Sequence, residues 1–206
     1  MSEQGTQEWL DDRAGKFTGS RFVDVMARNK KTGEKLKAWH DLIWQIVVER
    51  MTGIPVEGPK ASALQWGTDT EPLAQAEYEQ RTGRYVDTCG FIEHPAYPFA
   101  GASPDGLVGL DRGLELKCPK SSVVHLERFV SGVPDEYKPQ IQGGMWVTGR
   151  KVWDFASFDP RMPPSHRLLI IEVERDDAYI KNLEQAVIEA EAEVGNLLTT
   201  LTRKAA

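Results

Sequence analysis

The chain has 206 residues, 40% hydrophobic and 27% charged, a balance that supports one packed domain and excludes a disordered protein. Its formal net charge of −6 argues against a generally basic, polyanion-binding surface, and apolar runs such as LLII at 168–171 are too short to cross a bilayer. Two cysteines, Cys89 and Cys118, and an N-terminus MSEQGTQEWLDD that lacks the layout of a secretory signal read as a reduced, cytoplasmic protein with no membrane role.

The charge is uneven along the chain. From Arg13 to Lys37 there are eight Lys or Arg against two Asp or Glu, and from Glu172 to Glu193 eight acidic residues against two basic; runs of this kind are commonly solvated faces. Trp39, Leu42, Ile43, Ile46 and Val47 recur at helical spacing and predict a helix ending near Thr52. A second helix is expected over EPLAQAEYEQRTG, with Glu71 at its start, Pro72 in the first turn and Gly83 as the stop.

The middle third is β-prone. YVDTCGFIEH, AGASPDGLVGL and GLELKCP are short runs separated by Gly, Pro and Asp, the pattern of an antiparallel meander. Val123, Val124, Leu126 and Phe129 predict a helix after Pro119, and DEYKPQIQGGMWVTG contains another. KVWDFASFD and HRLLIIEVE read as strands, followed by a long acidic amphipathic helix from about 176 to 201 with Leu183, Val187, Val194 and Leu198 on its apolar face. The expectation is a single α+β domain over residues 1–206, with a mixed central β-sheet flanked by helices.

Chemistry concentrates in GASPDGLVGLDRGLELKCPK. Side chains alternate along a strand, so Glu115 and Lys117 share one face while Leu114, Leu116 and Cys118 point to the other, toward the core. Asp105, at the turn ten positions earlier, can bring a second carboxylate beside Glu115. Two adjacent carboxylates repel unless a cation neutralises them, and an oxygen-rich pocket of this kind suits Mg²⁺ or Mn²⁺. Such an ion supports phosphodiester hydrolysis, with Lys117 orienting or deprotonating the attacking water. An ordinary Glu/Lys pair on a surface hairpin has the same local pattern, and a carboxylate at Glu71 is also what the first turn of a helix favours.

Blocks in one order along the chain extend this reading: RAGKFTGS at 13–20, ALQWGTDTE at 63–71, ASPDGLV at 102–108, LELKCP at 114–119, PQIQGGMWVTG at 139–149 and FASFDPRM at 155–162. Together they resemble the lambda exonuclease, or YqaJ-type, phage recombination nucleases of the PD-(D/E)xK superfamily. The resemblance implies a restriction-endonuclease-like core and a Mg²⁺-dependent 5′-to-3′ exonuclease on linear duplex DNA. It leaves a 3′ overhang for a single-strand annealing protein. It also implies metal ligation by Asp105, Glu115 and the Leu116 carbonyl, with Lys117 and Glu71 holding the water and Gln140 close by. Gln142 is a weaker candidate. Arg13 and Ser20 would hold a 5′-terminal phosphate at the DNA end, a role a cation and a hydroxyl can share. A homotrimeric ring and a phage or prophage origin in a bacterial host are further implications. One departure is KSSVV after LELKCP, where Val123 stands in place of a family arginine.

Other features read as structural. His40, His94, His125 and His166 lack paired zinc-ligand spacing, Cys118 reads as a buried thiol, and Trp66 and Trp146 as core rather than base-stacking residues. Two rival functions stay open: a site- or structure-specific endonuclease on the same fold, which would cut closed circles, and a catalytically idle nucleic-acid-binding protein, which would bind duplex ends without cutting them.

Overall fold

The computed structural model describes residues 3–56 and 62–205, with the backbone alone for 62–64; the ends of the expected 1–206 domain lie outside the described residues. The centre is a four-stranded sheet in the order β4 (Gly106–Val108), β5 (Arg112–Lys117), β6 (Val152–Phe158), β7 (Leu168–Glu174). It is mixed, because β5 and β6 run parallel while the outer pairs are antiparallel. A second sheet, β1 (Phe17–Thr18), β3 (Ala100–Ala102) and β2 (Ile92–Glu93), lies at the N-terminal side.

The expected meander is therefore divided. Its middle run, AGASPDGLVGL, contributes β3 to one sheet and β4 to the other, and Ser103, Pro104 and Asp105 form the crossing. Runs of two or three residues cannot sustain a long ladder, so each pairs with whichever edge is nearest.

Strand alternation sorts the core into two layers. Leu114 and Leu116 of β5 join Ala156 and Phe158 of β6 under Ala74 and Tyr78 of α4 (Ser62–Thr82). On the opposite face Trp153 and Phe155 meet Ile141 and Met145 of α6 (Lys138–Thr148) and Leu183 and Val187 of α7 (Asp177–Ala205). Helix α3 (Lys37–Thr52), with Gly53 left-handed at its C-terminus, buries all five residues whose spacing predicted it.

Helix α4 corrects the second helix of the sequence reading. It begins at Ser62, nine residues before Glu71, and carries Pro72 in its interior. Pro72 has no N–H for the Thr68 carbonyl, a loss of roughly 3 kcal/mol. The helix persists because it is packed on both sides of the proline: Trp66 lies under the Arg161 guanidinium at 4.6 Å, and Tyr78 is fully buried. Glu71 is thus mid-helix, and no capping role explains its charge.

Part of the uneven charge pairs within the chain. Glu189 of α7 pairs with Arg28 at 2.5 Å and Lys35 at 2.9 Å, and Glu191 pairs with Arg50 of α3 at 2.6 Å. Helix α5 (Ser122–Ser131) is inverted: it buries His125 and Arg128 and exposes Val123 and Val130. No helix of the described residues is long and apolar enough to cross a membrane.

Candidate active site

The end of β5 builds the site. β4 stops at Gly106, opposite Leu114, so the edge of β5 beyond that residue is unpaired. Leu116 points its N–H at this edge, where Asp105 Oδ2 accepts it at 2.6 Å, and the Leu116 carbonyl projects from the same edge. Glu115 and Lys117 stand on the α6 face, with Lys117 bonded to Glu115 Oε1. Gln140, from the first turns of α6, donates its side-chain amide to the same oxygen at 2.6 Å.

Asp105, Glu115, Lys117 and Gln140 line one small cavity of about 180 Å³, and Arg13, Ser20 and Ser103 line it with them. Glu71 and Leu116 lie on the other side of Asp105, in a cavity of about 560 Å³. Of the residues singled out in sequence, Arg13, Ser20, Asp105, Glu115, Lys117 and Gln140 therefore share one cavity, and Glu71 and Leu116 line its neighbour. Gln142 does neither: it is buried, donates to the Glu174 carbonyl and accepts from the Asp176 N–H, tying α6 to the β7–α7 junction.

Electrostatics set the character of the cleft. Burial, aided by Asp105, pushes Glu115 up to about 7 despite the opposing pull of Lys117. Asp105 is also raised, by burial, against Lys117 and the Leu116 N–H, and Glu71 is raised by burial and Asp105. Burial alone would lower Lys117, but Glu115 and Asp105 outweigh it and raise the group. One ammonium thus faces three carboxylates, an arrangement short of positive charge. Two carboxylates and a free carbonyl form a hard-oxygen donor set that fits a divalent cation. Among the described residues no three His, Cys, Asp or Glu side chains converge closely enough to hold a metal ion, so Glu71 stands apart from the Asp105 and Glu115 pair.

Arg13, at the end of α1 (Gln7–Arg13), supplies the opposite charge within the same cavity. Its guanidinium lies 4.0 Å from the Trp9 ring and, among the described residues, bonds three hydroxyls: Ser103 at 3.1 Å, Ser20 at 3.3 Å and Thr18 at 3.4 Å. Burial, with Arg21 nearby, brings it down to about 10. The loop that carries it is clamped from α3. Glu49 accepts from the Gly15 N–H at 2.8 Å and Arg50 donates to the Gly15 carbonyl at 2.8 Å; Gly15 has φ +70°, and a Cβ there would lie 2.7 Å from Arg50.

Sequence reasoning missed Ser103 and Trp9, which line the cavity, and Tyr137, whose ring lies 5.3 Å from the Lys117 ammonium. Ser103 sits directly before the Pro-Asp of the crossing and had a motif to reveal it; Trp9 and Tyr137 lie outside every recognisable block and had none. Cys89 is raised to about 11 and Cys118 to about 12, both chiefly by burial, which keeps either thiol protonated and unsuited to nucleophilic attack. His125 is buried against Ser157, and His94 and Trp146 stack on each other at 4.3 Å.

This chain belongs to the YqaJ-like viral recombinase domain family, whose model matches residues 8–151. It is similar to an alkaline exonuclease, LHK-Exo, from Laribacter hongkongensis. The two are 38% identical with a TM-score of 0.88, covering 97% of this chain and 98% of that one, and LHK-Exo is also known in complex with dAMP. The fold is the restriction-endonuclease-like one of that enzyme. A phage-related exonuclease from Haemophilus somnus 129PT shares the fold at 14% identity, with a TM-score of 0.72 over 90% of this chain and 96% of that one. Among curated relatives, the uncharacterized protein YqaJ of Bacillus subtilis is 28% identical over 194 residues, 91% of this chain. The chain spans 56% of that relative's length.

Proposed function

We propose that the chain is a single-domain metal-dependent DNA exonuclease that degrades one strand of linear duplex DNA from its 5′ end and leaves a 3′ single strand. The observation that carries this reading is the shared cavity, lined by Arg13, Ser20 and Ser103 together with Asp105, Glu115 and Lys117. A cation and hydroxyls suit a terminal phosphate, and carboxylates within the same small space suit hydrolysis of the bond next to it. Membership of a viral recombinase family and 38% identity to an alkaline exonuclease support the substrate class.

Asp105, Glu115 and the Leu116 carbonyl would hold Mg²⁺, with Mn²⁺ as a substitute. A bound divalent ion lowers the pKa of water and offsets charge on a phosphoryl oxygen. Gln140 keeps the Glu115 carboxylate turned into the cavity. Lys117 donates toward the attacking oxygen, and Glu71, raised above its ordinary range, accepts a proton from it on the side away from Arg13. Arg13 and Ser20 seat the 5′ phosphate and so register the strand by one nucleotide.

We infer a homotrimeric ring. Two exposed apolar stripes, Trp44, Val48 and Met51 on α3 and Val123, Leu126 and Val130 on α5, suit a contact between unlike faces of neighbouring copies, the kind that closes rings. Light scattering after size exclusion is expected to give three times the chain mass; a monomer would overturn the ring. The product overhang would serve a single-strand annealing protein in phage-type recombination, in the cytoplasm of a bacterial host carrying a phage or prophage.

The direct test incubates 5′-phosphorylated, 5′-hydroxyl and covalently closed circular duplexes with Mg²⁺. Shortening of the strand whose 5′ end is phosphorylated is expected, with circles intact. Cleavage of circles would favour an endonuclease, and end binding without cleavage an idle binding protein.

A further inference from the structure

Lys117 is held on a side that the LELK motif does not include. Its ammonium lies 5.3 Å from the centroid of the Tyr137 ring, within cation–π range, while its charge is paired with Glu115. Tyr137 immediately precedes α6, and its ring packs at 5.3 Å on Phe155, the β6 residue in register with Glu115. The far end of the ring is fixed as well, because the Tyr137 hydroxyl accepts from Arg128 Nη2 at 3.2 Å.

Arg128 is the unexplained member. It is 5% exposed, its Nε has no partner, and among the described residues no carboxylate pairs with it. Its other guanidinium bond goes to Ser157 Oγ at 3.0 Å. Ser157 stands in register with Lys117 on the neighbouring strand and meets Nδ1 of the fully buried His125 at 2.9 Å, while Nε2 of that ring meets the His166 carbonyl at 2.7 Å. A carbonyl only accepts, so Nε2 carries the proton and, in the neutral ring, the Ser157 hydroxyl donates to Nδ1. The bonds thus run in one sense from Arg128 to the backbone. Keeping a guanidinium in the interior without a counter-charge is costly, and packing alone would be served by an apolar side chain.

We propose that Tyr137, braced by Arg128, is a positioning residue for the hydrolysis, its ring fixing the height and direction of the Lys117 ammonium so that a donor is left facing the attacking oxygen. This rests on the nuclease reading of the site. The test compares Tyr137→Phe and Tyr137→Leu in the full chain by two readouts. The first is kcat and KM on linear duplex with Mg²⁺; the second is the rate at which an amine-reactive ester acylates Lys117, followed by peptide mass spectrometry. Tyr137→Leu is expected to lower kcat by about 100-fold, the cost of a misplacement on the order of 1 Å, with KM for duplex ends unchanged, and to speed acylation of Lys117. Tyr137→Phe, which keeps the ring but not the brace, is expected to fall between wild type and Tyr137→Leu in both kcat and labelling rate. Wild-type kcat and labelling in Tyr137→Leu would overturn the proposal, as would equal losses in both variants with KM raised. If the wild-type chain does not cut linear duplex, the nuclease reading fails, and the labelling arm still decides whether Tyr137 holds Lys117.

Discussion

The Asp105 carboxylate accepts the Leu116 N–H at 2.6 Å, and this bond ties the crossing between the two sheets to the open edge of β5. One carboxylate therefore serves two purposes: Oδ2 closes the fold at the strand end, and the charge faces the cavity.

Separating those purposes gives the first prediction. Asp105→Asn keeps an acceptor for Leu116 and is expected to fold with an unfolding midpoint close to wild type. It loses the negative charge, and since the divalent cation proposed here would contribute several kcal/mol at the transition state, at 1.36 kcal/mol per factor of ten, Mg²⁺-dependent cleavage should fall on the order of 1000-fold. Binding of duplex ends should persist. Residual cleavage near the wild-type rate on a labelled linear duplex would remove Asp105 from the reaction.

How much of this site was legible follows from the range of each contact. Glu115 and Lys117 were placed on one face by strand period alone, because that period is local and strict. Glu71 was expected at a helix start it does not occupy; α4 extends through Pro72 on tertiary packing, which local breaker signals cannot register. The meander failed for a similar reason, since β3 pairs in parallel with β1, eighty-odd residues earlier in the chain, and no turn signal encodes that partner. The two charge runs meet in part, Glu189 pairing with both Arg28 and Lys35, and only the fold shows that Arg13 makes no ion pair among the described residues.

Arg13 supplies the second prediction. Hydrogen bonds to a charged group contribute about 1.5–3 kcal/mol, so Arg13→Gln should lower kcat/KM on 5′-phosphorylated ends by roughly 10- to 100-fold. Ends bearing a 5′ hydroxyl offer that cation no phosphate and should be cut at close to the unmodified rate. The ratio of the two rates is the measurement; an equal loss on both ends would assign Arg13 to general DNA attraction.

Glu49 gives a prediction about stability and its pH dependence. Its carboxylate is buried, with both oxygens engaged by Arg21 at 2.8 and 2.5 Å, and it also accepts from the Gly15 and Val56 N–H groups. Burial alone would raise its pKa, but these donors win and hold it below the ordinary carboxylate value of 4.5. A lowered folded-state pKa contributes stability that is fully present above the unfolded value and is lost as pH falls through the folded one. Glu49→Gln should therefore destabilise the chain at pH 7, toward the lower end of about 3–5 kcal/mol because the Arg21 side chain keeps 17% of its exposure. The gap between mutant and wild type in urea midpoint should narrow below pH 4.5. A gap that stays constant down to pH 3 would show that the pair's charge contributes nothing.

The last prediction concerns the seating of Gln140. Helix α6 approaches the α2 segment (Phe22–Val25) through Gly143, where a Cβ would lie 2.2 Å from Cδ2 and 2.4 Å from Cε2 of Phe22. Alanine is favoured over glycine within a helix by about 1 kcal/mol, so an open site would be stabilised by Gly143→Ala. Phe22 is fully buried and packs edge-on against Trp146 at 5.9 Å, so its ring has no room to retreat and α6 must move instead. Overpacking costs about 1–3 kcal/mol or more, which outweighs the propensity gain. Net destabilisation in urea is expected, together with a fall in kcat, because a shift of α6 carries Gln140 off the Glu115 oxygen it meets at 2.6 Å. An unfolding midpoint above wild type would mean that the helix and the Phe22 ring part more easily than their burial implies.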